Sequence, residues 1–369
     1  MFERRLFFHV DWVLLSAILL IVGIGVAMIY STTYVLLPDG GGHAGPQVKT
    51  QIYAIVLGLV ALLVFLAIDY RLLAEHSLMI YLALLGVLIY VLFKGSTQFG
   101  AQRWISLGAF NLQPSEFARL TVALILAMYF GENRRGARNT GDLVIGGLFT
   151  AVPLLLIARQ PDLGTAVILL PVFFGVAYLA GLRMRLLGII MLAGVLLAPV
   201  VWQFALQDYQ KSRIHTFVDP ERDRQGAGYQ TIQARITVGS GGLMGKGFRQ
   251  GTQGQYDFLP VAHNDFIFSV LAEEQGFVGV LAVLGLYLFV IIRSLEAARL
   301  AKDRLGAYLV GGIIAGFAFQ VIYNIAMSVG LAPVKGITLP LMSYGGSSLI
   351  ATMATFGLIL NVRMRRFTN

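Results

Sequence analysis

The chain has 369 residues, of which 57% are hydrophobic and 13% charged, whereas a soluble domain carries about a quarter charged residues. The net charge of +9 does not mark a nucleic-acid binder, because the basic residues fall in short loops between apolar runs. Cysteine is absent, which excludes disulfides and thiolate chemistry.

Several apolar runs reach the roughly 20 residues needed to cross a bilayer, so the expected fold class is an all-α polytopic membrane protein. Met1–Arg5 and the run behind it have the charge pattern of a secretory signal. The run is too long for one and lacks a clear small-residue cleavage site, so it reads as the first span. In chain order the expected spans are Val10–Tyr34, Gln51–Ile68, Ser77–Phe93, Glu116–Gly131 and Leu143–Ala158. They continue with Leu163–Gly181, Leu186–Leu206, Phe266–Ile292, Leu305–Val329 and Ser347–Val362, ten in all. Residues 1–369 are expected to form one integral membrane domain with one large extracytoplasmic loop, 207–265. That loop is the only long polar stretch, and it is read as having no secondary structure of its own. It carries Lys211, Arg213, Arg222, Arg224, Arg235, Lys246 and Arg249, and Asp265 closes it. Loops of that length are usually functional. There is no convincing internal repeat and no low-complexity segment.

Lys and Arg in short loops set the orientation. With ten spans both termini share a side, and that side collects Arg4, Arg5, Arg71, Arg134, Arg135, Arg138, Arg183, Arg185, Arg293, Arg299, Lys302, Arg304, Arg363, Arg365 and Arg366. The short loops opposite hold only Lys49, Lys94, Arg103, Arg159 and Lys335, so fifteen against five places both termini in the cytoplasm and the long loop outside.

The even-numbered spans then begin at the outer face, and four of them start with polar motifs. These are QPSE (Gln113–Glu116), QPDLGT (Gln160–Thr165), HND (His263–Asp265) and SYGGSS (Ser343–Ser348). Helix N-termini present unpaired N–H groups and a positive dipole end, which suit phosphates. Plainer roles also fit. Asp162, Ser115 and Asn264 are good N-cap residues, and SYGGSS is compatible with a turn plus small-residue packing. The glycines around GSGG and GKG lack the spacing of a P-loop, which argues against ATP. Tyr229, Ile232 and Ile236 share a helical face that suits the bilayer surface or the bundle. Glu116 and Arg119 are spaced to pair along one helix. Glu273 and Glu274 lie eight residues and more past Asp265, roughly 12 Å further along a helix, either inside the bundle or on a shallow stretch. His263 and Asp265 lack the nucleophile elbow of a serine hydrolase, and no ligand spacing here is diagnostic of a metal.

Taken together, RWISLGAFNLQPSEFARL (Arg103–Leu120), RQPDLGTA (Arg159–Ala166), GSGGLMGKGFRQGTQ (Gly239–Gln253), FLPVAHNDFIFSVLAEEQGFVG (Phe258–Gly279) and GITLPLMSYGGSS (Gly336–Ser348) resemble the SEDS family of cell-wall polymerases. The resemblance covers essentially the whole chain and is closest to the elongation branch, the RodA type. It implies a peptidoglycan glycosyltransferase that polymerises lipid II at the outer face of the cytoplasmic membrane. The family's essential acidic residue falls on Asp265 and its QPSE acid on Glu116. Two positions depart from the family pattern, Asn264 in place of Thr and Arg119 in place of Lys, and neither removes a charge. The resemblance also implies a class B penicillin-binding protein, a single-span transpeptidase, as partner, and assistance from a divalent cation, Mg or Mn.

The mechanism expected on this basis uses Asp265 as general base for the acceptor hydroxyl. Arg103, Arg213, Lys246, His263 and Ser343 form the expected substrate-binding set, with Glu116, Arg119 and Asp162 in support. The basic groups offset charge on the departing diphosphate, and a single displacement inverts the anomeric centre. Two other readings are a lipid II flippase and a non-catalytic scaffold for the transpeptidase. The motifs gather at one face and no inverted repeat is evident, which favours chemistry over transport.

Overall fold

Apolar runs fold as helices here because a chain in lipid has no water for its peptide groups and must bond them internally. The computed structural model describes residues 9–36, 42–98, 101–106, 111–132, 140–204, 208–223, 226–255 and 258–367. In order, the helices are α1 (Trp12–Thr33), α2 (Pro46–Ala67), α3 (Tyr70–Glu75), α4 (Ser77–Lys94), α5 (Ser115–Glu132), α6 (Thr140–Arg159) and α7 (Leu163–Leu179). They continue as α8 (Met184–Phe204), α9 (Asp208–Val218), α10 (Ala227–Ser240), α11 (Thr252–Gln255), α12 (Ile267–Arg299), α13 (Arg304–Ser328) and α14 (Gly346–Met364).

Among the described residues seven helices, α1, α2, α4, α6, α12, α13 and α14, are long and apolar enough to cross a membrane. The protein is a mostly helical, multi-pass membrane protein. The three other expected spans are helices too: α7 has 17 residues, α8 runs the 21 residues Met184–Phe204, and α5 carries Glu116 and Arg119. Of the basic residues used for orientation, Arg4, Arg5, Arg134, Arg135 and Arg138 lie outside the described residues, as does Arg224 of the long loop.

The hub of the bundle is α14, whose apolar window is 94% buried, against 28% for α2 and α4. That enclosure explains how Ser347, Ser348, Thr352, Thr355 and Asn361 sit on a membrane helix: they face protein rather than lipid. Asn361 donates to the carbonyls of Leu66 (2.6 Å) and Ile68 (2.8 Å), closing the end of α2. Close approach of α13 to α7 depends on small residues. A Cβ on Gly312 would meet Val176 at 2.5 Å, and one on Gly316 would meet Val172 at 2.7 Å.

The segment expected to be structureless holds α9, α10 and α11. The face of α10 turned into the protein is Thr231, Ala234 and Thr237, while Ile236 of the expected apolar stripe is exposed. Small polar side chains let α10 lie close to α12, and they carry no apolar period to announce a helix. The loops between spans also contain strands. β1 (Tyr34–Leu36) and β2 (Gly42–Ala44) pair antiparallel, with Tyr34 opposite Ala44. β3 (Ser96–Gln98), β4 (Ala101–Ser106) and β5 (Asn111–Leu112) form a small antiparallel sheet that carries Arg103.

Helix α12 is broken. Gly276 has φ 65° and ψ −167°, which interrupts the helical bonding two turns past its start. The stretch 241–247 fills the gap. Lys246 N donates to Glu273 O (2.9 Å) and Gly247 N to Glu274 O (3.0 Å). Beyond the break, Phe277 N and Val278 N donate to Gly242 O and Leu243 O at 2.9 and 3.1 Å. Four backbone groups of α12 at the kink thus gain partners from the 241–247 stretch, as burial requires.

Candidate active site

Asp265 ends the turn before α12 and is half-buried. The buried amide of Asn324 on α13 holds its backbone in place. Asn324 Nδ2 donates to the carbonyl of Asp265 (2.9 Å) and to that of Ile337 (2.7 Å). One side chain therefore joins the start of α12 to the 329–345 connection between α13 and α14. The carboxylate lies over that connection, because a Cβ on Gly336 (φ 69°) would stand 3.6 Å from Asp265 Oδ2. His263 is fixed in the same way: its carbonyl accepts from Tyr344 N (2.9 Å), and its ring packs edge-on against Tyr344 at 5.5 Å. Ser343 Oγ accepts from Leu339 N (2.8 Å), and Gln51 of α2 donates to Ser343 O and accepts from Gly345 N, both at 3.3 Å.

Two guanidinium groups act on Asp265. Arg213 on α9 donates from Nη1 to Val334 O at 3.2 Å, so it crosses the same connection. Arg103 comes from β4 and also pairs with Asp162 at 3.6 Å. Burial pushes the Asp265 carboxyl up to about 6, while Arg103 and Arg213 pull it back toward the ordinary carboxylate range. A half-buried carboxylate with a raised pKa, in the field of two guanidiniums, is suited to take a proton from a hydroxyl while anionic charge develops beside it.

Asp162 links two of the polar tips. It caps α7 by accepting from Thr165 N (3.2 Å), and it accepts from Gln113 Nε2 (2.7 Å) and Ser115 Oγ (3.1 Å) of the QPSE motif. Gln113 N in turn donates to Ser347 Oγ of the SYGGSS motif at 2.9 Å. Of the expected caps, Asp162 is one, while the N-cap of α12 is Phe266, with no side-chain cap, so Asn264 does not serve there.

Glu116 and Arg119 pair at 3.7 Å inside the bundle. Arg119 also donates to Gln320 Oε1, to Thr352 Oγ1 (2.6 Å) and to Ser348 O (3.3 Å). It therefore ties α5 to α13 and α14, and it roofs a small cavity lined by Ile313, Phe317, Thr352 and Thr355. Glu116 and Arg119 are both buried within the bundle.

The structure brings together Asp265, Arg103, Arg213, His263, Ser343 and Asp162. It takes Lys246 elsewhere. Lys246 Nζ is 2.6 Å from Glu273 Oε1 and 3.0 Å from Thr252 Oγ1, at the break in α12. Glu273 also accepts from Thr252 N and Gln253 N and is fully buried, as is Glu274, which accepts from Ser31 of α1. Both glutamates are therefore inside the bundle. Asn324, Gln320 and Gln51, single amides within apolar runs, were not visible as site residues from the sequence. Their only signal is a polar side chain at membrane depth. Among the described residues, no group of three or more His, Asp or Glu side chains is placed to hold a metal ion. The charges acting on Asp265 are guanidiniums, so the residues present do not fit a cation held by protein carboxylates.

The FtsW/RodA/SpoVE model, described as cell cycle protein, matches residues 11–367. The peptidoglycan glycosyltransferase MrdB of Escherichia coli K12 is 39% identical over 342 residues, covering 92% of this chain and 91% of that protein. The probable peptidoglycan glycosyltransferase FtsW of Trichlorobacter lovleyi is 35% identical over 360 residues, covering 95% of this chain and 92% of that one. Among solved structures, a chain from work on the structural coordination of polymerization and crosslinking by a peptidoglycan synthase complex aligns with TM-score 0.82 at 34% identity. That alignment covers 98% of this chain and 99% of the other. The rod shape determining protein RodA of Thermus thermophilus aligns with TM-score 0.72 at 30% identity, covering 98% of both chains.

Proposed function

The chain belongs to the FtsW/RodA/SpoVE family, and from that premise we propose that it is a peptidoglycan glycosyltransferase that polymerises lipid II, with Asp265 as general base. The observation that carries the assignment is the half-buried Asp265 carboxylate, its backbone pinned by Asn324, under the influence of Arg103 and Arg213. In this mechanism the acceptor hydroxyl gives its proton to Asp265 as its oxygen bonds to the anomeric carbon of the donor. The bond from that carbon to the diphosphate breaks, and the electron pair leaves with the diphosphate. Arg103 and Arg213 offset the charge that develops on it. One displacement inverts the anomeric centre, and diphosphate departs without an acid.

The reaction is placed at the outer face of the cytoplasmic membrane, with both termini in the cytoplasm. In support, Arg71, Arg293, Arg363 and Arg365 all form ion pairs at the end of the bundle where the described chain starts and finishes. Asp11 pairs with Arg293 (3.0 Å) and Arg363 (2.8 Å), and Asp69 with Arg365 (3.0 Å). An excess of Arg at that end supports the reading that it faces the cytoplasm. The solved relative from a synthase complex that coordinates polymerization with crosslinking supports a class B penicillin-binding protein as the transpeptidase partner.

The test is purified protein with lipid II and a gel of the products. Glycan from the wild type and none from Asp265→Ala supports the assignment; equal glycan from both defeats it. A lipid transporter is the second reading, favoured by the broken helix α12 with its buried glutamates. Labelled lipid II crossing liposomes at the same rate with wild type and Asp265→Ala, without polymer, would select that reading.

A further inference from the structure

We propose that Lys335 contacts substrate, forming with Arg213 an anion subsite beside Asp265 that holds the diphosphate of the polyprenyl donor. The proposal rests on the glycosyltransferase reading above and names the group that takes the place expected for Lys246.

The backbone around Lys335 is fixed from several directions. Tyr323 on α13 donates to Pro333 O (2.9 Å), and Arg213 donates to Val334 O (3.2 Å). Asn324 donates to Ile337 O (2.7 Å) and Gln320 to Thr338 O (3.0 Å). A Cβ on Gly164, in the QPDLGT tip, would stand 2.9 Å from the carbonyl of Lys335. Lys335 thus lies between a residue bonded to Arg213 and Gly336, over which the Asp265 carboxylate sits.

Against that rigid setting, the ammonium has no partner among the described residues. Lys335 is half-buried, and among the described residues its side chain makes no hydrogen bond or ion pair. Its electrostatic neighbour is another cation, Arg213, and burial together with Arg213 holds its pKa below the ordinary lysine value. Asp265, the carboxylate at hand, already answers Arg103 and Arg213. Holding two cations together with so little counter-charge is costly unless an anion joins them. A diphosphate bears enough charge to do so, and a lysine ammonium serves phosphate as a movable point charge beside the fork of an arginine. Lys246, by contrast, already has Glu273 and Thr252 as partners.

The experiment compares wild type, Lys335→Ala, Lys335→Gln and Lys335→Arg, each accepted only with a wild-type melting temperature in detergent. The expected result is that Lys335→Ala and Lys335→Gln raise KM for lipid II about tenfold or more, and Lys335→Arg recovers most of the loss. Inorganic pyrophosphate should inhibit the wild type, with inhibition weakened about tenfold in Lys335→Ala. Binding of labelled lipid II to Asp265→Asn and to Asp265→Asn with Lys335→Ala reads the subsite without turnover, and the double variant should bind about tenfold more weakly. Unchanged KM, unchanged pyrophosphate inhibition or unchanged binding in the double variant overturns the subsite. Wild-type protein that makes no glycan overturns the glycosyltransferase reading instead, whichever way the binding comparison falls. Should Lys335→Ala and Lys335→Gln both melt early while Lys335→Arg binds normally, the residue is structural and the proposal fails.

Discussion

Lys246 Nζ and Glu273 Oε1 are 2.6 Å apart, at the point where α12 is interrupted and a glycine-rich segment fills the gap. The pair closes a buried polar knot. Glu273 is fully buried and accepts from the backbone of Thr252 and Gln253 as well as from Lys246, which retains some exposure. Removing one partner of such a buried pair is costly, typically about 3 kcal/mol or more. Glu273→Ala and Lys246→Ala should both lower the melting temperature, and residual folded Lys246→Ala should keep a near-normal KM for lipid II. Arg213→Ala should do the reverse, raising KM while melting normally. A raised KM in a Lys246→Ala protein of unchanged stability would return Lys246 to the substrate site.

The break itself depends on glycine on both sides. A Cβ on Gly276 would meet Gly245 N at 2.2 Å, and one on Gly245 would meet Glu274 O at 2.1 Å, with positive φ at each position. Gly276→Ala and Gly245→Ala should therefore lose folded protein, as read by size-exclusion yield and melting temperature, since the obstructing atoms are backbone and cannot move aside. Gly285→Ala, further along α12 with nothing near its Cβ, is the matched control and should fold normally.

The pH dependence follows from Asp265. A base must be deprotonated, so polymerisation should rise with pH through about 6. Arg213 lowers the pKa of Asp265, so Arg213→Ala should move this acid limb to higher pH. Stability has the opposite sign. With its pKa raised in the folded state, Asp265 contributes stability that is present below the ordinary carboxylate range and lost as pH rises through about 6. Asp265→Asn should accordingly melt higher than wild type at pH 7.5, by about 1 kcal/mol given the residue's partial exposure. Equal melting temperatures at pH 7.5 would show that the carboxylate is not disfavoured in the folded protein.

Arg119 tests the buried polar contacts within the bundle. Its guanidinium reaches Glu116, Gln320, Thr352 and Ser348 O together, which a single ammonium cannot do. Arg119→Lys, although it restores the residue usual in the resembled family, should cost about 1–2 kcal/mol here because the three donors of an ammonium leave at least one of those four acceptors without a partner. Arg119→Ala should cost more, about 3 kcal/mol, because Glu116 is left buried without its partner. Thermal unfolding of both variants measures this.

The bundle was legible because a lipid-spanning helix needs a long apolar run, and such runs stand out in this chain. The convergence of the tips was legible from parity: polar motifs at the starts of even-numbered spans lie on one face, and the network from Asp162 through Gln113 to Ser347 joins three of them. Less visible were features that depend on two distant segments meeting. Gly276 looks like an ordinary glycine in an apolar run until the 241–247 segment is seen bonded into the gap. Lys246 reads as a free cation until Glu273 appears beside it. Asn324 and Lys335 gain meaning only from what the 329–345 connection places against them. The helices of the polar segment were hidden for a local reason: α10 packs with Thr231, Ala234 and Thr237, side chains too small and polar to trace a hydrophobic period.

The most direct measurement is the rate of glycan formation from purified lipid II by wild type and by Asp265→Asn, at pH 7.5, on preparations shown by melting to be folded. The account predicts polymer from the wild type and a rate at least about a hundredfold lower from Asp265→Asn, the loss expected when a general base is removed. Polymer from folded Asp265→Asn at the wild-type rate would contradict it.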